Sequence, residues 1–226
     1  MYCSRSTFYK YCRLLQITCN RKKKKNIYNP LRATAPLQIL HLDVTLYKLI
    51  NGTKVYLHVV RDNFSRAVLA CKIATACCSQ NSKEIMEEVL KKYNLMEKEG
   101  QLITDGGSEN KGALQEWLNK PGMLWKKLIA QIDIVQSNSM VEAANKMLKY
   151  GFLHHLKIET LPELAQQLPT ILTTYNDMPL GCLHGCTPNQ VLAGKIPDKK
   201  YFAHSIKNAQ SQRVIKNGKI VCKNPC

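Results

Sequence analysis

The chain has 226 residues, 45% of them hydrophobic, with 33 Lys and Arg against 16 Asp and Glu and a formal charge of +17. That length buries one good core with ends too short to be large domains. The basic excess suits a polyanion, nucleic acid first, better than a small neutral substrate.

Residues 1–42 hold no acid, yet carry Arg5, Lys10, Arg13, the run Arg21, Lys22, Lys23, Lys24, Lys25, and Arg32. Within them SRSTFYKYCRLL reads as one amphipathic helix with a Ser cap, the last helix of a helix-turn-helix unit. Residues 1–35 are therefore expected to be a partial helix-turn-helix remnant and a basic linker, with Arg21 to Lys25 on DNA phosphates. Three apolar, β-rich runs follow at 38–47, 54–61 and 66–73. Asn51-Gly52 is a hairpin signal between the first two, and Asp62-Asn63-Phe64-Ser65 makes the second turn, with Asp62 assigned ordinary Asx chemistry. Ser79 reads as the cap of a helix running to Asn94. A strand at 101–104, a helix near 110–119, a strand near 129–136, the helix bearing Glu142, a longer helix at 160–176 and a short one after Thr187-Pro188 complete the order. Strands and helices in the sequence βββαβαβα predict an α/β fold. After Asp198 there is again no acid, while Lys199, Lys200, Lys207, Arg213, Lys216, Lys219 and Lys223 follow. Residues 196–226 are expected to be a basic tail.

Three carboxylates stand out. Asp43 interrupts the apolar strand LQILHLDVTLYKL, where an ionised acid is costly unless a cation compensates it. Asp105 follows Leu102, Ile103 and Thr104 and precedes Gly106 and Gly107, at a strand-to-loop junction where ligand sites form. Glu142 lies in SNSMVEAANKMLKY, with Lys146 and Lys149 at i+4 and i+7 on the same helix face. Hard oxygen ligands converging from separate elements are what Mg²⁺ or Mn²⁺ needs.

Other polar residues have plainer readings. The ten cysteines are scattered and read as reduced thiols; Cys182 and Cys186, or Cys222 and Cys226, have spacers that argue against zinc. Asp133 is expected to face solvent on an edge strand. His154 and His155 have no third ligand at matching spacing and are expected to be exposed or interfacial. Arg66 suits either a core carboxylate or DNA. No apolar run would span a bilayer, and the N-terminus lacks the order of a secretory signal, so a cytoplasmic protein is expected.

The ordered motifs LHLDVT, VYLHVVRDNFSRAVLACKI, ITDGGSEN, SNSMVEAANKMLKY and YNDMPLGCLHGCTPNQVLAGK resemble the catalytic core of retroviral integrases and insertion-sequence transposases, over residues 36–195. The resemblance implies a ribonuclease H-like fold: a mixed sheet, three antiparallel strands then two parallel, flanked by helices. Asp43, Asp105 and Glu142 fall on the family's Asp, Asp, Glu triad, with 36 residues between the last two. They would be catalytic and hold Mg²⁺ or Mn²⁺, two ions being expected. Lys149 falls on the base seven residues after the glutamate, which in the family contacts the DNA end. The upstream SRSTFYKY is similar to bacterial insertion-sequence transposases, implying a bacterial cytoplasm or nucleoid. There are departures: Ser137-Asn138-Ser139-Met140-Val141 replaces the more usual Asp-Asn-Ala approach to the glutamate, and Ile103 stands where a histidine often precedes the second aspartate.

What the resemblance implies is metal-dependent cleavage and strand transfer of mobile-element ends by a homo-oligomer on DNA. Water frees a 3′-hydroxyl, which then attacks another phosphodiester without a covalent enzyme intermediate. The alternative is a catalytically inactive DNA-binding remnant of a transposase; a nuclease on the same fold leaves the YNDMPLGCLHGCTPNQVL segment without a role.

Overall fold

A computed structural model describes residues 4–17, 31–134 and 139–218. Packing separates residues 1–30 from 31–226. The first unit contributes helix α1 (Arg5–Leu14), whose start is capped by Ser4: its Oγ accepts from the Thr7 amide at 3.1 Å. Phe8, Tyr11 and Leu14 are exposed on it.

The second unit runs β1 (Ile39–Lys48), β2 (Lys54–Asp62), β3 (Val68–Ala74), α2 (Ser79–Lys92), β4 (Gly100–Thr104), α3 (Ala113–Leu118), β5 (Trp125–Ile129), α4 (Ser139–Lys146), α5 (Leu161–Asp177), α6 (Pro188–Leu192) and α7 (Ala203–Gly218). The five strands form one sheet in the order β3-β2-β1-β4-β5. β1, β2 and β3 pair antiparallel, and β4 and β5 continue the sheet parallel to β1. This is the mixed, ribonuclease H-like sheet the resemblance implies.

The meander follows from its turns. At Asn51-Gly52 the Asn51 Oδ1 accepts from the Thr53 amide at 2.9 Å, and Gly52 takes φ +90°, a conformation that a Cβ disfavours. At the second turn, fully buried Asp62 accepts from the Ser65 amide and hydroxyl, both at 2.6 Å, and from the Leu37 amide at 2.8 Å. The Asx assignment is met, with an added anchor on the segment leading into β1.

Both faces of the sheet are covered. Alternation along β1 sends Leu40 and Leu42 to one side, where they pack with Ile85, Met86, Val89 and Leu90 of α2 and Leu114, Trp117 and Leu118 of α3. Burying each of the α2 side chains contributes roughly 1.5–3 kcal/mol. On the other face Tyr47, Val55, Leu57 and Val59 meet Ala144 of α4, Leu148, and Leu164, Ile171 and Tyr175 of α5. Thr160 caps α5, and Thr187 with Gln190 closes a capping box at α6.

Several boundaries differ from expectation. Cys78 is the cap residue of α2, and Ser79 turns its Oγ to the Ala113 amide at 3.2 Å, tying α2 to α3. The stretch expected as one helix near 110–119 is a 3-10 turn, Ser108–Asn110, then α3. Gly112 joins them at φ +56°, ψ −125°, accessible to glycine. The last strand is Trp125–Ile129, not 129–136. Beyond it the chain turns, with the Ile129 amide donating to Asp133 Oδ2 at 2.7 Å. Asp133 is exposed, as expected, but in a turn and not on a strand. The basic tail contains α7, exposed at residues 203–216.

Candidate active site

The sheet's strand order reverses between β1 and β4, and that junction holds the first two carboxylates. Ile39, Leu40 and His41 lie opposite Gln101, Leu102 and Ile103. Continuing this register sets Asp105, just past the end of β4, beside Asp43. Asp43 shares its strand face with Thr45 and Tyr47, the face that α4 and α5 cover. It is half-buried, and its Oδ2 accepts from Asn145 Nδ2 of α4 at 2.6 Å.

Burial, then the charge of Asp105, pushes the Asp43 carboxyl up to about 6, with Glu142 adding the weakest push; the Val44 amide and Asn145 pull the other way. The charge of Asp105, and least that of Glu142, is thus felt at Asp43. Asp105 is half-buried, and its Oδ1 accepts from the Gly107 amide at 3.1 Å and from Asn110 Nδ2 at 2.6 Å. Glu142 is exposed in the first turn of α4. Among the described residues, no three His, Cys, Asp or Glu side chains are drawn close enough to hold an ion.

The donor chemistry nevertheless fits a hard divalent cation. All three candidate ligands are carboxylates. The two asparagines that donate to them leave their own Oδ1 atoms buried without a hydrogen-bond partner, acceptors beside crowded negative charge. A cation there would relieve the crowding that raises Asp43.

The helix that bears Glu142, Lys146 and Lys149 changes character along its length. From Met147 to Phe152 the helix widens into a π-turn with i→i+5 bonding. Lys146 stays exposed, while half-buried Lys149 reaches Thr45 Oγ1 at 3.5 Å, two residues beyond Asp43 on the same strand face. Arg21, Lys22, Lys23, Lys24 and Lys25 lie outside the described residues.

His154 and His155 are exposed, and His154 stacks on Tyr150 with ring centroids 5.0 Å apart. The Arg66 carbonyl accepts from Arg61 Nε at 2.8 Å and from the Tyr175 hydroxyl at 3.3 Å, which ties the β2–β3 turn to α5. Cys12, Cys71, Cys77, Cys78, Cys182 and Cys186 are free thiols, and no described helix is long and apolar enough to cross a membrane.

Sequence reasoning missed Asn110, Asn145 and Lys127. Asn145 lies three residues after Glu142, which for a helix places it one turn on; that spacing was the available signal. Asn110 and Lys127 meet through folding alone: Lys127 Nζ on β5 donates to the Asn110 carbonyl, and nothing local announces the pairing.

Residues 33–131 match the integrase core domain family. Among solved structures, the intasome of simian T-cell lymphotropic virus in complex with PP2A regulatory subunit B56 gamma is 19% identical, with a TM-score of 0.59 over 88% of this chain and 75% of that one. The HTLV-2 integrase catalytic core domain in complex with magnesium is similar in its trimeric form at 25% identity and TM-score 0.53, and in its dimeric form at 23% and 0.52. Each comparison covers 71% of this chain and 99% of the other. No curated protein matches the sequence.

Proposed function

We propose that this chain, which carries a DDE transposase/integrase catalytic core, cuts DNA at the ends of a mobile element and joins them to target DNA in a reaction dependent on Mg²⁺ or Mn²⁺. The observation that supports the reading is the parallel register of β1 and β4, which carried two residues further sets Asp43 beside Asp105, together with the Asn145 contact that brings α4, the helix of Glu142, onto Asp43. The magnesium described with the HTLV-2 core supports extending the same ion class to this chain.

Asp43, Asp105 and Glu142 would hold the metal, two ions being the expected number. Bound ions supply the charge that activates an attacking oxygen and neutralises the leaving one. The chain's own side chains set the stage. Asn145 fixes the Asp43 carboxylate through its Nδ2, and Asp105 is held by the loop that follows it. Lys149, beside Thr45, and exposed Lys146 would take DNA phosphates near the carboxylates. No side chain is required to become covalently linked to DNA. The dimeric and trimeric forms described for the HTLV-2 core support a homo-oligomer on DNA.

The test is cleavage and strand transfer on labelled element-end DNA with Mg²⁺ or Mn²⁺. Asp43→Asn, Asp105→Asn and Glu142→Gln should each abolish both steps while the protein stays folded. Wild-type turnover in Asp105→Asn would overturn the assignment. A wild-type protein that binds the ends but neither cuts nor joins them would favour an inactive DNA-binding remnant.

A further inference from the structure

We infer that Asn110 is a positioning residue for Asp105, and that Lys127 holds Asn110 in place from the neighbouring strand. The inference rests on the reading of Asp105 as a metal-holding carboxylate. Asn110 ends the 3-10 turn that follows Asp105 and is 1% exposed. Its Nδ2 donates to Asp105 Oδ1 at 2.6 Å. A carboxylate oxygen only accepts, so this contact sets which way round the amide lies. The consequence is that Asn110 Oδ1 is buried with no hydrogen-bond partner.

That arrangement is costly as packing. An unpaired buried acceptor carries its desolvation penalty, and an apolar side chain of similar size would fill the same space without it. The return is control of the carboxylate. Asp105 leaves the sheet at the end of β4 and is followed by two glycines, a stretch whose backbone is intrinsically permissive. The Gly107 amide, at 3.1 Å, is the other donor to Oδ1. With Oδ1 engaged twice, the carboxylate's rotation is restricted and Oδ2 is left to face a ligand.

Asn110 is itself anchored. Its backbone carbonyl accepts from Lys127 Nζ, and its amide donates to the Gly107 carbonyl at 3.2 Å. Lys127 projects from β5, which pairs with β4 along its full length from Gly100 to Thr104. The chain of contacts therefore runs from a strand of the sheet, through Lys127 and Asn110, to the carboxylate. Partners that orient metal-ligating carboxylates commonly change metal affinity about 10- to 100-fold when removed.

The experiment is calorimetric Mn²⁺ binding to the full chain, with thermal unfolding measured alongside. Asn110→Leu keeps the size and removes the donor, so Mn²⁺ should bind about ten-fold more weakly at an unchanged Tm. In an Asp105→Asn background the same substitution should add nothing, because both changes act through one carboxylate. Lys127→Met should weaken binding in the same direction by a smaller factor, and it carries the test if Asn110→Leu does not fold. Wild-type affinity in both variants, or an undiminished effect of Asn110→Leu in the Asp105→Asn background, overturns the positioning role. If Asp105→Asn loses Mn²⁺ while Asn110→Leu and Lys127→Met do not, the positioning role falls and the proposed function stands. If Asp105→Asn itself binds Mn²⁺ as the parent does, the ligand assignment fails and the inference goes with it.

Discussion

Asp43 shows how a candidate metal ligand works against the fold that presents it. Burial first, then Asp105, raises its carboxyl from 3.8 to about 6, so the folded chain holds that proton more tightly than the unfolded chain does. The associated stability is full below the unfolded value and is lost as pH rises through the folded one. Asp43→Asn keeps an oxygen for Asn145 and abolishes the charge. Its Tm should therefore exceed the parent's near pH 8 and converge with it below about pH 4. The ceiling on the gap is about 3 kcal/mol at roughly 1.4 kcal/mol per pH unit, reduced by solvent screening. His58, buried beneath α2, is pushed down to about 4 by burial and then by Lys72. Its contribution runs the opposite way with pH but is common to both proteins and cancels in the difference. A Tm gap that is flat from about pH 4 to pH 8 would show that neither the burial nor the crowding of this carboxyl carries free energy. Lys149 is tested on DNA instead: if it holds the DNA end, Lys149→Ala should lower strand transfer and cross-linking to that end while Mn²⁺ binding stays at the parent's level. Equal cross-linking in the variant would remove Lys149 from the interface.

The turns and helix ends are where local sequence determines structure in this chain, and Asp62 is the strongest instance. It is fully buried and accepts three hydrogen bonds; removing it leaves buried donors unpaired at about 1–3 kcal/mol each. Asp62→Ala should lower the urea-unfolding free energy by roughly 3 kcal/mol, part of the cost being offset by removal of a buried acid. A loss below about 1 kcal/mol would mean that the Asp62 turn does not hold the meander. The meander was readable because Asn51-Gly52 and Asp62 to Ser65 carry their own turn chemistry, and α6 because Thr187, Pro188 and Gln190 spell its start. β5 was not. The apolar residues after Leu128 continue into Ile132 and Ile134 and mimic a longer strand, whereas pairing with β4 ends at Ile129 and Ile132 is 73% exposed. The site divides in the same way. Asp43 and Asp105 betray themselves by breaking a strand pattern or ending one, while Asn110 and Asn145 look like ordinary turn and helix residues until the sheet brings a carboxylate to each. The π-turn after Met147 also has no local signature.

At the scale of the molecule, charge and fold are distributed differently. All the acids, including the three candidate ligands, fall between Asp43 and Asp198, whereas residues 1–42 and those after Asp198 contain none. Eight Lys and Arg fall within residues 1–30, a unit that packs separately from 31–226. A polyanion held by such a segment releases counterions as its phosphates are neutralised, and log K falls with log salt by roughly 0.9 per neutralised phosphate on duplex DNA. Removing residues 1–30 should therefore weaken DNA binding and flatten its salt dependence, by about that amount for every phosphate the arm had neutralised, and should leave the sheet folded by circular dichroism. Mn²⁺ binding should not change, because Asp43, Asp105, Glu142 and the asparagines beside them all lie in the second unit. That combination would separate grip from chemistry: the basic arm would set how long and at what ionic strength DNA stays, and the carboxylates would determine what is done to it. An unchanged slope would show that these eight charges do not touch DNA, and would move the phosphate binding onto the second unit, where Lys146, Lys149 and the cations of α7 are the candidates.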